Sequence, residues 1–145
     1  MEKIRFDSGV KSYKLGDLGV LRFHPGDPNL YARFMEAAEK MAALEEEMTQ
    51  KAKNIPEADG AQIVKILQEA DRKMKQMLNW VFGNSTDFDS LLGGVNLLAM
   101  GANGERVVSN LFAALEPILL DGAKAYAIEQ AKAAKDRANT RRKGQ

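Results

Sequence analysis

Apolar residues recur through the middle of the chain with the spacing of two long helices. Gaps of four and three residues alternate from Leu30 to Met48, and the same spacing returns from Ile63 to Val81. Spacing of this kind lines apolar side chains along one face of a helix. Because the connection between the two segments is short, the pattern predicts an antiparallel αα-hairpin over residues 28–82. The apolar positions are Leu30, Phe34, Ala37, Met41, Leu44 and Met48 in the first segment, and Ile63, Leu67, Ala70, Met74, Met77 and Val81 in the second.

Capping residues set the expected bounds of the hairpin. Asp27 precedes Pro28, and an aspartate followed by proline is a favourable helix start. The first helix is therefore predicted from Pro28 to about Lys53. Asp59, with Gln62 three residues later, resembles the capping box of a second helix.

Short strands are predicted before the hairpin, over residues 1–26. Ile4 and Phe6 alternate with polar residues, as do Tyr13 and Leu15, and a further apolar run ends near residue 23. We expect a two- or three-stranded antiparallel ribbon, which needs a helix to cover its apolar face. His24 lies in a loop rich in proline and glycine, where capping the ribbon or contact with water is expected rather than catalysis.

Glycines divide the segment that follows the hairpin. Phe82 is followed by Gly83-Asn84, which suits a left-handed carboxyl cap. Ser85 or Thr86 then caps a short helix over 87–92, which Gly93-Gly94 closes.

A long helix is predicted to complete the chain. Residues 95–100 are expected to form one turn of helix on the core, and a helix then opens at Asn103 or Gly104. Pro117 should kink or restart this helix, because proline removes a backbone donor. Its apolar content falls towards the end, so we expect fraying after Arg137 and a basic tail over 138–145.

The elements together predict a mainly α (α+β) fold in one domain over residues 1–137. Its parts are the β-ribbon (1–26), the long αα-hairpin (28–82) and a carboxyl-terminal helical part (83–137). At 145 residues the chain is long enough to bury a core without disulfides.

Composition offers little for catalysis. The chain has no cysteine and one histidine, which leaves neither a thiol nucleophile nor a pair of imidazoles. No glycine-rich loop carries the lysine of a phosphate-binding motif. Residues 1–9 lack the apolar run of a signal peptide, and Glu116 and Pro117 interrupt the apolar run near the last helix. We therefore expect an intracellular protein that is not an enzyme and has no cofactor, no metal site and no membrane span.

Charge is balanced overall, at +1, but unevenly distributed. From residue 132 to residue 145 there are six basic residues against Asp136 alone. This basic end is either a solubilising tail or a contact for nucleic acid. One candidate function is accordingly a helical, nucleic-acid-associated or other oligomeric interaction protein that uses the tail.

The apolar positions of the first helix also allow a second interpretation. That helix is longer than a compact domain of this size requires, so part of its apolar face could join two copies of the chain. The candidates for self-association are Phe34, Met41, Leu44 and Met48. Core packing explains the same residues equally well.

The order of elements is similar to that of a known protein family. A small ribbon, a charged αα-hairpin, Phe82-Gly83, an acidic short helix closed at Gly94, and a Leu111–Ile118 helix containing Pro117 follow one another. In this order they resemble the tail assembly chaperones of long-tailed phages and prophages of Gram-positive bacteria. The likeness covers most of the chain, although its motifs are short.

The resemblance implies a function without catalysis. Such chaperones coat the long helical tape measure protein in the cytoplasm of the bacterial host and recruit tail tube subunits. They are expected to self-associate, and many are made in a short form and a frameshifted longer form. The candidate partner-binding residues are Phe82, Phe88, Leu91 and Leu92, which would otherwise belong to the core.

Overall fold

A computed structural model of the chain describes residues 1–83 and 85–143. Two strands come first, β1 (Lys11–Leu15) and β2 (Gly19–Phe23). Four helices follow: α1 (Pro28–Lys53), α2 (Gly60–Phe82), α3 (Phe88–Leu91) and α4 (Val107–Lys143). The predicted mainly helical fold with an amino-terminal antiparallel ribbon is confirmed.

The αα-hairpin has the predicted bounds because its caps act as expected. The Asp27 carboxylate accepts a hydrogen bond from the Asn29 N–H at 2.9 Å, directly before α1. Asp59 accepts from the Gln62 N–H at 3.2 Å and begins α2. The reciprocal bond of a capping box is replaced by a bond from the Asp59 N–H to the Pro56 carbonyl, at 2.9 Å.

The ribbon has two strands, paired in antiparallel register with Tyr13 opposite Leu21. The additional strand expected around Ile4 and Phe6 does not form, and both side chains lie in solvent, 88% and 80% exposed. Two apolar residues in alternation are too few to specify a strand that has no covering surface. His24 closes the ribbon, since its Nδ1 accepts a hydrogen bond from the Gly26 N–H at 3.0 Å.

The core lies between the inner faces of α1 and α2, the first half of α4, and the buried residues of β2, α3 and the segment after it. An aromatic chain joins the ribbon to the hairpin. Tyr13 stacks on Phe23 at 4.4 Å between centroids, Phe23 meets Phe82 edge-on at 5.2 Å, and Phe82 lies 5.5 Å from Phe88. The ribbon thereby gains the helical cover that a two-stranded sheet needs.

The segment after α2 differs from prediction in its details. Asp87 caps α3 instead of Ser85 or Thr86, accepting from the Ser90 N–H at 3.3 Å and the Ser90 hydroxyl at 2.8 Å. Residues 95–100 form turns rather than a turn of helix, although Leu97 and Leu98 are buried as expected. Asn84, part of the predicted carboxyl cap, lies outside the described residues.

The last helix is longer and more continuous than predicted. α4 begins at Val107 rather than near Asn103, and its helical backbone runs unbroken past Pro117 and past Arg137 to Lys143. The carbonyl that Pro117 leaves without a donor belongs to Ala113, which faces solvent, so water can satisfy it. Of the two effects predicted for Pro117, the restart does not occur. The fraying after Arg137 stays a prediction, and residues 144 and 145 of the predicted tail lie outside the described residues.

Candidate helix-binding groove

The predicted partner-binding residues do not form one exposed surface. Phe88 is fully buried, and Phe82, Leu91 and Leu92 are half-buried against the core. Leu91 packs closely on β2, where a side chain at Gly19 would meet its Cδ2 at 2.5 Å. Phe82 and Leu91 border a shallow depression beside β2, but Phe88 belongs to the core.

The residues predicted for self-association also face inwards. Phe34, Met41 and Met48 are 2%, 2% and 5% exposed, so the folded chain offers little of them to a second copy. Phe34 packs edge-on against Phe112 of α4, with 5.3 Å between the ring centroids. Leu44 alone keeps partial exposure.

An open groove runs between α1 and α2 on the side of the hairpin away from α4. Two adjoining cavities of about 190 and 410 Å³ make up this groove, and Lys73 borders both. On α2 the groove extends from Gln62 to Trp80, about 27 Å at a rise of ~1.5 Å per residue. The apolar residues along its floor are Ala37, Leu44, Met48, Ile66, Ala70, Met77 and Trp80.

Trp80 is the most accessible large apolar side chain of the groove. It is 41% exposed, and the Lys40 ammonium lies 5.9 Å from the centroid of its ring. Met77 lies beside it and is half-buried. A partly exposed tryptophan next to a methionine provides a large apolar contact area that can adapt its shape to a partner.

Charged side chains form the two edges of the groove. Glu47 pairs with Lys51 at 3.1 Å along α1, and Glu69 lies 4.0 Å from Lys73 along α2. Each of these pairs is largely exposed, so each contributes little to stability and can exchange partners at small cost. The groove thus combines an apolar floor with edges that can accommodate charges of either sign.

A buried ion network holds the opposite side of α2. Lys75 is 5% exposed, and its ammonium donates to Asp71 at 2.8 Å and to Asp89 of α3 at 2.6 Å. Asp71 also accepts a hydrogen bond from the Leu97 N–H at 2.8 Å. Burial by itself would lower the pKa of Lys75, but the hydrogen bonds and charges of Asp71 and Asp89 outweigh it and raise the pKa above its ordinary value.

Further polar contacts fix the surrounding elements. The Asn79 side chain accepts from the Phe88 N–H at 2.8 Å, which holds α3 against α2. Arg33 of α1 donates through Nε to the Val81 carbonyl at 3.0 Å, near the end of α2. Arg106 pairs with Glu45 and joins the start of α4 to α1. These contacts make the hairpin a rigid frame for the groove.

The described residues bring together no set of three or more histidine or acidic side chains that could hold a metal ion. Within the same residues, none of the helices has the length and apolar character needed to cross a membrane. No family model matches the chain, and comparisons with curated proteins and with solved structures likewise found no match.

Proposed function

We propose that this protein is a non-enzymatic tail assembly chaperone of a long-tailed phage or prophage. It binds the helical tape measure protein in the cytoplasm of a bacterial host and recruits tail tube subunits to it. The resemblance of the chain supports the family, and the open groove between α1 and α2 is the single observation that supports helix binding.

The groove suits an amphipathic helix in both dimensions and chemistry. Its length of about 27 Å matches roughly 18 residues, or five turns. A helix laid between α1 and α2 would present residues at i, i+3, i+4 and i+7 to the apolar floor. Its flanking charges would meet the exposed lysines and glutamates at the edges.

A groove of this kind also fits the repetitive task of coating a long helix. Apart from Trp80, the floor is built from small, flexible or aliphatic side chains, and the half-buried Met77 can repack around different sequences. Recognition would then depend on periodic apolar residues rather than on one motif. Each site needs only modest affinity, because many copies act along one tape measure protein.

The coding DNA provides the first test of this proposal. A phage tail gene cluster should surround the gene, with a very long coiled-coil gene downstream and an overlapping frame near the codon for Arg142. Neighbours from metabolic operons, with no tail genes, would contradict the proposed family.

Co-expression with the long downstream protein provides the second test. We expect that protein to remain soluble and to co-purify with the chain. Trp80→Ala should weaken the complex roughly tenfold, because a partly exposed tryptophan in an apolar groove supplies a large contact area and is a typical hot spot. Affinity can be measured by calorimetry with purified fragments of the partner.

Val64 supplies a matched control on the same helix. It is 52% exposed and lies on a different face of α2 from the groove. Val64→Ala should leave the affinity unchanged. Equal affinities for the Trp80→Ala and wild-type proteins would show that the helix binds elsewhere.

A further inference from the structure

The second half of α4 extends away from the rest of the fold. α4 runs antiparallel to α1: Arg106 pairs with Glu45, Phe112 packs on Phe34, and Gly122 contacts the Pro25–Gly26 loop before α1 begins. The 21 residues from 123 to 143 then continue as helix for about 30 Å. Between residues 124 and 142 every side chain is exposed except the half-buried Ala133.

This extended segment carries a regular basic face. Residues spaced by four, three, four, three and four positions lie along one side of the helix, and all are exposed. Ile128 is the large apolar residue of this face and is 66% exposed. We call these residues the basic row: Lys124, Ile128, Ala131, Lys135, Ala138 and Arg142.

The outer side of α1 carries an acidic row with the same spacing. This side points away from the core positions Leu30, Phe34, Ala37 and Met41, and every residue of the row is exposed. Met35 adds an apolar side chain beside it and is 43% exposed. The residues of the acidic row are Ala32, Glu36, Glu39, Ala43, Glu46 and Gln50.

We propose that the basic row of one copy docks along the acidic row of a second copy. Each row spans 18 residue steps, about 27 Å. The basic row carries three positive charges and the acidic row carries three negative charges. Alanines within each row let two helices approach closely, while Ile128 and Met35 supply apolar area. Glu36 exchanges its exposed contact with Lys40, 3.2 Å away, for the incoming cations.

The basic row and the acidic row must come from different copies, because the fold keeps them apart within one chain. α4 is continuous from Val107, and its first half lies beside α1, so the basic row continues beyond the start of its own α1. Donor and acceptor rows occupy different places on the molecule. Each contact therefore joins two different surfaces, so copies can assemble as a reciprocal two-fold dimer, a ring or an open chain.

The inference does not rest on the proposed function. Neither row shares a residue with the groove, whose lining faces other directions from α1 and α2. Self-association through the rows can fail while the groove still binds a helix, and the converse also holds.

Charge reversal with rescue tests the proposal in the full chain. Sedimentation velocity should show concentration-dependent association at about 0.05 M salt that weakens at about 0.5 M. Reversing the acidic row (E36K, E39K and E46K) or the basic row (K124E, K135E and R142E) should reduce the association constant about tenfold or more. A protein with both rows reversed should associate again, because the charges remain complementary.

A pair of double variants provides the matched control. K135E with R142E changes the basic row, whereas R137E with R141E makes the same change in net charge on the opposite side of α4. We expect only the first pair to weaken association. Circular dichroism confirms that each variant remains folded.

Three results would overturn the proposal. They are a monomer at every concentration and salt, equal weakening by both double variants, and failure of the protein with both rows reversed to associate. Association that disappears after nuclease treatment would also overturn it, because nucleic acid would then be the occupant of the basic row.

Discussion

Replacing Lys75 by methionine lowers the free energy of unfolding by about 2–3 kcal/mol at neutral pH, the expected cost of removing one partner from a largely buried ion network. The substitution keeps most of the unbranched side chain but removes its ammonium, which leaves the Asp71 carboxylate, 15% exposed, without its cation. Asp89 is 63% exposed and recovers solvation, which places the effect at the lower end for such networks. Chemical denaturation of both proteins measures the difference.

The same network predicts that the free energy of unfolding depends on pH in the alkaline range. Burial alone would lower the pKa of Lys75, but Asp71 and Asp89 raise it in the folded state. The folded protein therefore holds the Lys75 proton more tightly than the unfolded chain does. Its stabilising contribution is complete below the ordinary lysine pKa of 10.5 and is lost as pH rises through the higher folded value. The difference in free energy of unfolding between the wild type and Lys75→Met should therefore narrow as the pH rises through the folded-state pKa.

Lys65→Met is the control for this experiment. Lys65 lies on the same helix and is exposed, so its replacement should change stability by less than about 0.5 kcal/mol. Equal effects at positions 65 and 75 would contradict a structural role for the network.

Gly122→Ala should destabilise the protein by about 2 kcal/mol, opposite in sign to the usual effect of this change within a helix. Alanine is ordinarily about 1 kcal/mol better than glycine in a helix interior. At position 122, however, a Cβ would overlap the Pro25 carbonyl oxygen and lie 2.5 Å from its carbon. Either α4 or the loop before α1 must move.

Gly60→Ala is the matched control, because the same change is made in a helix where a Cβ has room. Gly60 is the first residue of α2, and a Cβ there would meet nothing within 4 Å. This variant should be neutral or more stable by up to about 1 kcal/mol. If Gly122→Ala proved equally stabilising in thermal and chemical denaturation, the close approach of α4 to Pro25–Gly26 would be wrong.

The hairpin was predictable because the features that specify its helices lie within the helices and at their ends. The alternating spacing and the caps at Asp27 and Asp59 place α1 and α2 without reference to the rest of the chain. The choice between two and three strands was not local, since the alternation at Ile4 and Phe6 indicates a strand only where a partner is available. The continuity of α4 at Pro117 was not predictable, because the accessibility of the Ala113 carbonyl depends on which side of α4 faces solvent.

The candidate site was less predictable because burial depends on contacts distant in sequence. Phe82 and Leu91 were candidates for a binding surface, but Phe23 packs on Phe82 and Gly19 lies against Leu91. The i,i+4 spacing of Asp71 and Lys75 was visible in the sequence, yet the third member, Asp89, joins them only through the packing of α3. The groove exists because α4 covers only one side of the hairpin, and no local sequence pattern predicts which side α4 covers.

The fluorescence of Trp80 reports on binding in the groove, because Trp80 is the only tryptophan of the chain and lies in the groove. A purified helical fragment of the tape measure protein is titrated into the chain, and binding is followed in parallel by calorimetry. If the helix binds in the groove, we expect a saturable blue shift and protection of Trp80 from a soluble quencher, with the same affinity as the calorimetric titration. Calorimetric binding with unchanged emission and quenching of Trp80 would contradict the groove as the helix-binding site, and absence of binding would contradict the proposed function itself.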